Sequence, residues 1–466
     1  MSTIRTIAAV AACKAARGIL RMLHRGGTAL PGKVAMKFDK EVLRTVSRGM
    51  KIIVVTGTNG KTTTCRMLEH ALTRSGFPCL ANKSGANLLS GVTAEFVCSA
   101  DWRGRPKTEY AVVECDEGAL KQVVPLLAPE VITVTNLFRD QLDRYGEVTH
   151  TLNAVKSGVE ASPQTALCLN ADCSLTSSIA LDVPNPVFYY GLDVPVGEQK
   201  ETEISDARHC IRCGTAYEYR YYTYAHLGGF CCPNCGYSRH DADVSVTQIN
   251  SVSPAGSEVR MKWRGSEKDA AISLPAVFNI YNAAAAVCAF TVFSDRLKER
   301  HGITLPAESI FDALSDVESS FGRMENFDLD GVPVQMILVK NPAGCSQSIS
   351  YLTQLKQDYM LAACLNDRTA DGHDISWIWD ADYEKLSEDP YLKQILVCGD
   401  RAEDLQLRLK YAGIPEERIE LLPDFASMLG KIRTSNLPVF AMPNYTSMLE
   451  LRGLLSQATG KKAFWK

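Results

Sequence analysis

The chain has 466 residues, 46% of them hydrophobic and 22% charged, with a net charge of −3. At about 150 residues per domain this allows two or three domains, each able to bury its own core, and the near-neutral balance excludes a surface that grips nucleic acid by bulk charge. Sixteen cysteines, dispersed through apolar runs of a chain this large, fit reduced thiols in a cytosol and not a disulfide scaffold.

Residues 1–52 carry eleven Lys/Arg against Asp39 and Glu41, a balance that suits an anionic headgroup surface and equally a solvated basic face. Within them Ile4, Ala8, Ala11, Ala15, Ile19 and Leu23 recur at steps of three and four. That spacing predicts an amphipathic helix that docks on the body or lies against lipid. Val10-Ala11-Ala12-Cys13 has the look of a lipoprotein cleavage site, but the apolar stretch before it is only about seven residues and Lys14 and Arg17 follow, which argues against export. With no run of about 18 apolar residues, no segment is expected to span a bilayer.

Lys51 to Val55 reads as a buried strand, and Thr56-Gly57-Thr58-Asn59-Gly60-Lys61-Thr62-Thr63 turns it into a helix. Two glycines let backbone N–H groups close on phosphate oxygens, the helix brings its positive end there, Lys61 supplies charge and Thr62 a hydroxyl for Mg²⁺. The general Walker pattern would place Gly where Val55 stands, so this is a shorter variant of it. Met67, Leu68, Ala71 and Leu72 keep helical spacing until Gly76. A nucleoside triphosphate is the expected ligand.

Further apolar runs each end in a polar cluster: Val112-Val113 at Glu114 to Gly118, Val131 to Val134 at Thr135-Asn136, and Ala166 to Leu169 at Asn170-Ala171-Asp172. Helical stretches between them predict a parallel α/β sheet whose ligands gather beyond the carboxyl ends of its strands. Glu114 is suited to holding Mg²⁺ beside the phosphate loop, unless it belongs to an exposed acidic turn. The pattern restarts after about residue 325 with Val334 to Val339, Met360 to Cys364, Ile395 to Cys398 and Val439 to Met442. Three units are expected: a basic amphipathic segment (1–50), an ATP-binding domain (51–325) and a second, Rossmann-like α/β domain (326–466).

Residues 196–245 interrupt the first domain with a stretch rich in Tyr, Cys, Arg and Gly. Here Cys210-x-x-Cys213 and Cys232-x-x-Cys235 are separated by eighteen residues, and each pair is followed by Gly. Four thiolates at this spacing predict a Zn²⁺ ribbon that replaces a core fifty residues cannot easily build. Cys231 would make the second pair C-x₃-C and is left out.

The ordered segments Gly57 to Thr62, Glu114, Thr135-Asn136 with Asp140 to Asp143, Asn170-Ala171-Asp172, Asn279-Ile280-Tyr281-Asn282, Gly322-Arg323-Met324-Glu325 and Asn341-Pro342 resemble the Mur ligases, ATP-dependent enzymes that couple amino acids to cell-wall precursors through an acyl phosphate. The resemblance implies ATP contacts from Gly57, Thr58, Asn59, Gly60, Lys61, Thr62, Thr63, Asn279, Asn282 and Arg323, and a Mg²⁺ site at Thr62 and Glu114. Gln141, Phe278 and Lys340 stand where those ligases carry His. A segment for gripping an incoming amino acid's carboxylate is missing, as an ammonia acceptor would allow.

The four-cysteine ribbon within the ATPase domain, Thr135 to Glu147, Arg25 to Gly32, Ala370 to Asp380 and Pro443-Asn444-Tyr445-Thr446 give a narrower resemblance, to the ligase subunits of lipid II isoglutaminyl synthases. It implies ATP-driven conversion of the D-glutamate α-carboxylate in the lipid II stem peptide to D-isoglutamine, on the cytoplasmic side of the membrane. It also implies a GatD-like glutaminase partner, since no Gly-x-Cys-x-Gly elbow occurs and Gly344-Cys345-Ser346 lacks the closing Gly. An Asp of the second domain then completes the partner's Cys-His-Asp triad. Asp374 is favoured and Asp371 second, with Asp367 and Asp380 also near, unless these carboxylates only cap turns. Trp377 and Trp379 serve as core or as interface anchors. The competing functions are a stand-alone Mur or folylpolyglutamate-type amino-acid ligase and a zinc-ribbon binding protein with a degenerate ATPase.

Overall fold

The computed structural model describes residues 4–22, 29–82, 86–139, 148–196, 206–318 and 322–461. Gln141, Asp140, Asp143 and Arg25, singled out above, lie outside the described residues, as does Leu23. In chain order the strands of the first lobe are β1 (Lys51–Thr56), β2 (Cys79–Ala81), β3 (Tyr110–Glu114), β4 (Val131–Val134), β5 (Ala166–Asn170), β6 (Val187–Leu192), β7 (Glu218–Tyr224), β8 (Leu227–Cys231), β9 (Val244–Ser253), β10 (Gly256–Trp263) and β11 (Ser266–Ile272).

Nine of them form one sheet in the order β11-β10-β9-β6-β5-β4-β1-β3-β2. From β2 to β9 neighbours run parallel, whereas β9, β10 and β11 are antiparallel. Of the parallel part, β1, β3, β4 and β5 were legible because strands buried on both faces are uninterrupted apolar runs, whereas β2 and β6, only half-buried along much of their length, were not. The antiparallel extension was not, because half of its side chains face water: β9 ends in a run of exposed residues, and β11 alternates.

The helix Val277–His301 fills the space behind the sheet. By length and composition it could cross a membrane, which a search for an unbroken apolar run does not reveal, but 89% of its apolar window is buried in the fold. It is therefore the core helix of this lobe. Its small face, Ala283 to Ala286, is 0–1% exposed, and its C-terminal Arg296, Arg300 and His301 all reach Glu130, just before β4.

The second lobe is a six-stranded sheet of β12 (Arg323–Leu329), β13 (Val332–Ile337), β14 (Tyr359–Cys364), β15 (Leu392–Cys398), β16 (Ile419–Leu421) and β17 (Val439–Pro443), ordered β12-β13-β17-β14-β15-β16. All four runs read from the sequence fall in it, parallel to one another, while β12 pairs antiparallel with β13. Separate apolar clusters cover its two faces.

The N-terminal helix Ile4–Met22 packs on the helix Ala29–Phe38 and on Leu89–Ser99. The face it turns inward is Thr6, Ala9, Val10 and Cys13. The stripe recognised in the sequence, Ile4, Ala8, Ala11, Ala15 and Ile19, is instead the outer face: Ile4 is 87% and Ile19 52% exposed.

Candidate active site

The phosphate loop is held from beneath by the end of β4. Thr58 N–H donates to the Asn136 carbonyl at 2.8 Å, Asn59 N–H to Asn136 Oδ1 at 2.9 Å, and Thr135 Oγ1 to the Asn59 carbonyl at 2.6 Å. This packing is what demands the glycines. Gly57 and Gly60 have φ of 117° and 89°, where other residues are strained. A Cβ on Gly57 would lie 2.3 Å from Thr135 Oγ1, and one on Gly60 2.0 Å from Asn282 Oδ1.

Lys61, 7% exposed, begins the helix Lys61–Arg74 and folds back over the loop. Its ammonium donates to the carbonyls of Gly57 and Thr58 at 2.5 and 3.3 Å and pairs with Glu117 Oε1 at 3.1 Å. Burial pushes the Glu117 carboxyl above the usual carboxylate range, against the pull of Lys61. Thr62 Oγ1 donates to Glu114 Oε2 at 2.6 Å, and Asn87 Nδ2 donates to Glu114 Oε1 at 3.2 Å. Asn82 fixes the backbone of Glu114 from both sides, accepting from its N–H and donating to its carbonyl at 2.8 Å each. Asn82 and Asn87 escaped the sequence reading, since they sit on a connection with no periodic pattern.

The donors around Thr62 and Glu114 are hard oxygens beside a phosphate cradle, which fits Mg²⁺ and not a soft metal. Glu114 thus ends its strand buried at 4% exposure, not in an exposed turn.

Asn282 Nδ2 donates to Asn279 Oδ1 at 3.0 Å, and Asn279 Nδ2 to the Pro275 carbonyl at 2.6 Å, fixing both amides at the start of the core helix. From the second lobe come Arg323, Lys340 and Asn341. Asn341 crosses the gap directly, donating from Nδ2 to Asn59 Oδ1 at 3.0 Å. The turn before Arg323 is held by Glu325, which accepts from Gly322 N–H at 2.9 Å and takes a buried two-pronged ion pair from Arg452 at 2.9 and 2.9 Å. Arg452 lies far along the sequence and carried no local signal. The phosphate loop, Glu114, Asn279, Asn282, Arg323 and Asn341 line one cavity of about 870 Å³ that runs from Lys61 to Asp371 and Tyr445, large enough for a nucleotide and part of a second substrate.

Asp371 is 9% exposed and accepts from Thr446 N–H at 2.8 Å and from the Thr446 hydroxyl; burial raises its carboxyl above the usual range. The Pro443 to Thr446 segment serves this loop: Asn444 Nδ2 donates to the Asn366 carbonyl at 2.6 Å and Asn366 Nδ2 to Thr446 Oγ1 at 2.9 Å. Asp374, partly exposed, accepts from Ser376 N–H at 2.8 Å at the head of the short turn Ser376–Asp380. Asp380 pairs with Arg139 of the first lobe at 2.8 Å, and Asp367 lies 3.9 Å from Arg401. Trp377 lines the cavity, whereas Trp379 is 47% exposed.

Cys210, Cys213, Cys232 and Cys235 bring their sulfurs within 4.8 Å of one another. The two knuckles repeat one geometry. Cys210 N–H reaches the Thr215 carbonyl and Cys232 N–H the Tyr237 carbonyl, while Gly214 and Gly236 turn at φ 74° and 73°. Four converging thiols fit a tetrahedral metal. Cys231 stays outside the cluster, on β8.

A family model described as Mur ligase middle domain matches residues 55–215, and one described as MurT ligase C-terminal matches 338–448. Among solved structures, MurF from Acinetobacter baumannii superposes with a TM-score of 0.65 at 18% identity, covering 93% of this chain and 81% of that one. Folylpolyglutamate synthase from Thermotoga maritima gives 0.60 at 13% identity, covering 95% and 97%. These two show the fold. The chain is 32% identical over 455 residues to the lipid II isoglutaminyl synthase (glutamine-hydrolyzing) subunit MurT of Streptococcus pneumoniae, covering 97% of each. It is 33% identical over 456 residues to the Staphylococcus aureus protein of that name, covering 98% of this chain and 99% of that one. On these end-to-end matches, the chain belongs to the MurT family of Mur-type ligase subunits.

Proposed function

We propose that this chain is the ATP-consuming subunit that converts the α-carboxylate of D-glutamate in the lipid II stem peptide into the amide of D-isoglutamine, a reading supported by full-length relatives named as lipid II isoglutaminyl synthase subunits. The observation that carries the reading is the single cavity in which the phosphate loop, the Thr62–Glu114 oxygens and Arg323 of the second lobe converge.

A carboxylate is a poor electrophile, and transfer of the γ-phosphoryl group to its oxygen makes it reactive. Lys61 and Arg323 take up the charge that develops on the transferred group. Thr62 and Glu114 would hold Mg²⁺, which would supply neutralisation of the phosphate charge when bound. Gly57 to Thr63 present backbone donors to the phosphates, and Asn279 and Asn282 face the nucleotide. Ammonia then displaces phosphate.

No Gly-x-Cys-x-Gly elbow occurs in the sequence. Cys345, nearest to an elbow in sequence, is 0% exposed with its thiol pushed up to about 12 by burial. A GatD-like glutaminase therefore supplies the ammonia, and the second lobe presents a carboxylate to its His. Asp374 suits that role better than Asp371, because Asp371 is consumed by Thr446 inside the ligase cavity. The four cysteines hold a structural Zn²⁺, and the protein works in the cytoplasm at the inner face of the membrane.

The test is co-expression with the glutaminase, followed by mass spectrometry of lipid II after ATP and glutamine are added. Exchange of one hydroxyl for an amino group is expected, and its loss in Lys61→Ala. Amino-acid-dependent ATP turnover without a partner would instead assign a stand-alone ligase.

A further inference from the structure

The helix Ile4–Met22 is apolar on two opposite faces, and the fold uses only one. Thr6, Ala9, Val10 and Cys13 are 0–1% exposed against the body. Ile4, Ile7, Ile19 and Met22 remain 87%, 42%, 52% and 75% exposed. At about 100° per residue they fall, with exposed Ala11 and Ala15, in one stripe about 120° wide. Arg5 flanks it on one side and Lys14 and Arg21 on the other. Lys14 lies over the ring of Trp102 at 4.7 Å and donates to the Ala100 carbonyl at 2.6 Å, and Trp102 is itself 65% exposed.

We infer that this outer face docks on an anionic lipid bilayer. The charge pattern selects the occupant: residues 1–38 hold seven Lys/Arg and no acidic residue. An apolar stripe with basic flanks and an exposed indole beside it matches acyl chains, anionic headgroups and the boundary between them. The helix also packs on Ala29–Phe38, which contributes Lys33 and Met36 to the wall of the active-site cavity. Docking would thus bring the cavity to a substrate carried on lipid. That purpose rests on the function proposed above; the docking itself does not.

The full chain is mixed, without substrate, with phosphatidylcholine vesicles lacking or containing phosphatidylglycerol, and binding is read by co-sedimentation. Binding to the phosphatidylglycerol vesicles is expected, weakened by about tenfold or more in the triple variant Ile4→Glu, Ile19→Glu, Met22→Glu. The surface variant Arg5→Glu, Arg21→Glu should lose the preference for phosphatidylglycerol. Amidation of a soluble, lipid-free muropeptide in the presence of the glutaminase, unchanged in both variants, shows that the fold is intact. Equal binding to both vesicles, no binding, or binding unaffected by the triple variant would overturn the inference. So would loss of self-association or of glutaminase binding in the triple variant, since the face would then belong to a protein contact. Vesicle binding without any amidation would refute the proposed function and leave the docking surface standing.

Discussion

Asn341 does two jobs that substitution can separate. Its Oδ1 caps the helix Pro342–Gln354 by accepting from Gly344 N–H at 2.8 Å, and its Nδ2 ties the second lobe to Asn59 of the phosphate loop at 3.0 Å. Asn341→Ser keeps a capping hydroxyl but cannot reach Asn59, whereas Asn341→Ala loses both. The cap contributes about 1 kcal/mol, so urea unfolding followed by intrinsic tryptophan fluorescence should show Asn341→Ala less stable than Asn341→Ser by about that amount. The inter-lobe bond involves a side chain 1% exposed, where a lost partner costs about 1–3 kcal/mol. If that bond sets the loop for phosphoryl transfer, both variants should turn over ATP about 5- to 150-fold more slowly with the glutaminase present. Equal stability of the two variants would refute the capping role. Wild-type turnover by Asn341→Ser would refute the claim that the second lobe positions the loop.

Asp374→Asn should abolish amidation with glutamine while leaving amidation with added ammonium salt intact, and Asp371→Asn should impair both, because Asp371 anchors the cavity loop through Thr446. The reverse pattern would exchange their roles. Cys213→Ser should lower the zinc content of the purified chain from one per molecule towards none and reduce its melting temperature; a variant that keeps its metal would show that the four thiols are not the ligands. The Glu130 carboxyl, which burial would raise, is held below its usual value of 4.5 by hydrogen bonds from His301 and Arg300 and the charges of Arg300 and Arg296. Because its folded value is the lower one, its stabilisation is complete above the usual value and disappears as pH falls through the folded value. Stability to urea should therefore drop on acidification in that range, with a shallower drop in Glu130→Gln.

What was legible in the sequence was what one short segment can encode. The loop Gly57 to Thr62 announces itself because backbone approach, helix start and charge must fall within a few residues. The cysteine knuckles do so because tetrahedral geometry fixes their spacing. The fully buried parallel strands at the centre of both lobes show as unbroken apolar runs. Illegible were the supports supplied from a distance: Asn82 and Asn87 around Glu114, Arg452 on Glu325, and the Asn59–Asn341 link, whose partners are 282 residues apart. The N-terminal stripe was correctly seen but could face either way, since periodicity marks an apolar face without saying what covers it. Among the aspartates near the end of β14 the sequence supplied only proximity, and the burial of Asp371 under Thr446 separates it from Asp374.

The central claim is that the lysine-bearing loop phosphorylates the substrate carboxylate before nitrogen arrives. Lipid II whose D-glutamate α-carboxylate carries heavy oxygen, incubated with the chain, the proposed GatD-like glutaminase, ATP and glutamine, tests this by mass spectrometry of the released inorganic phosphate. One heavy oxygen should pass into the phosphate for each amide formed. Amide and ADP accompanied by phosphate free of the label would contradict the account.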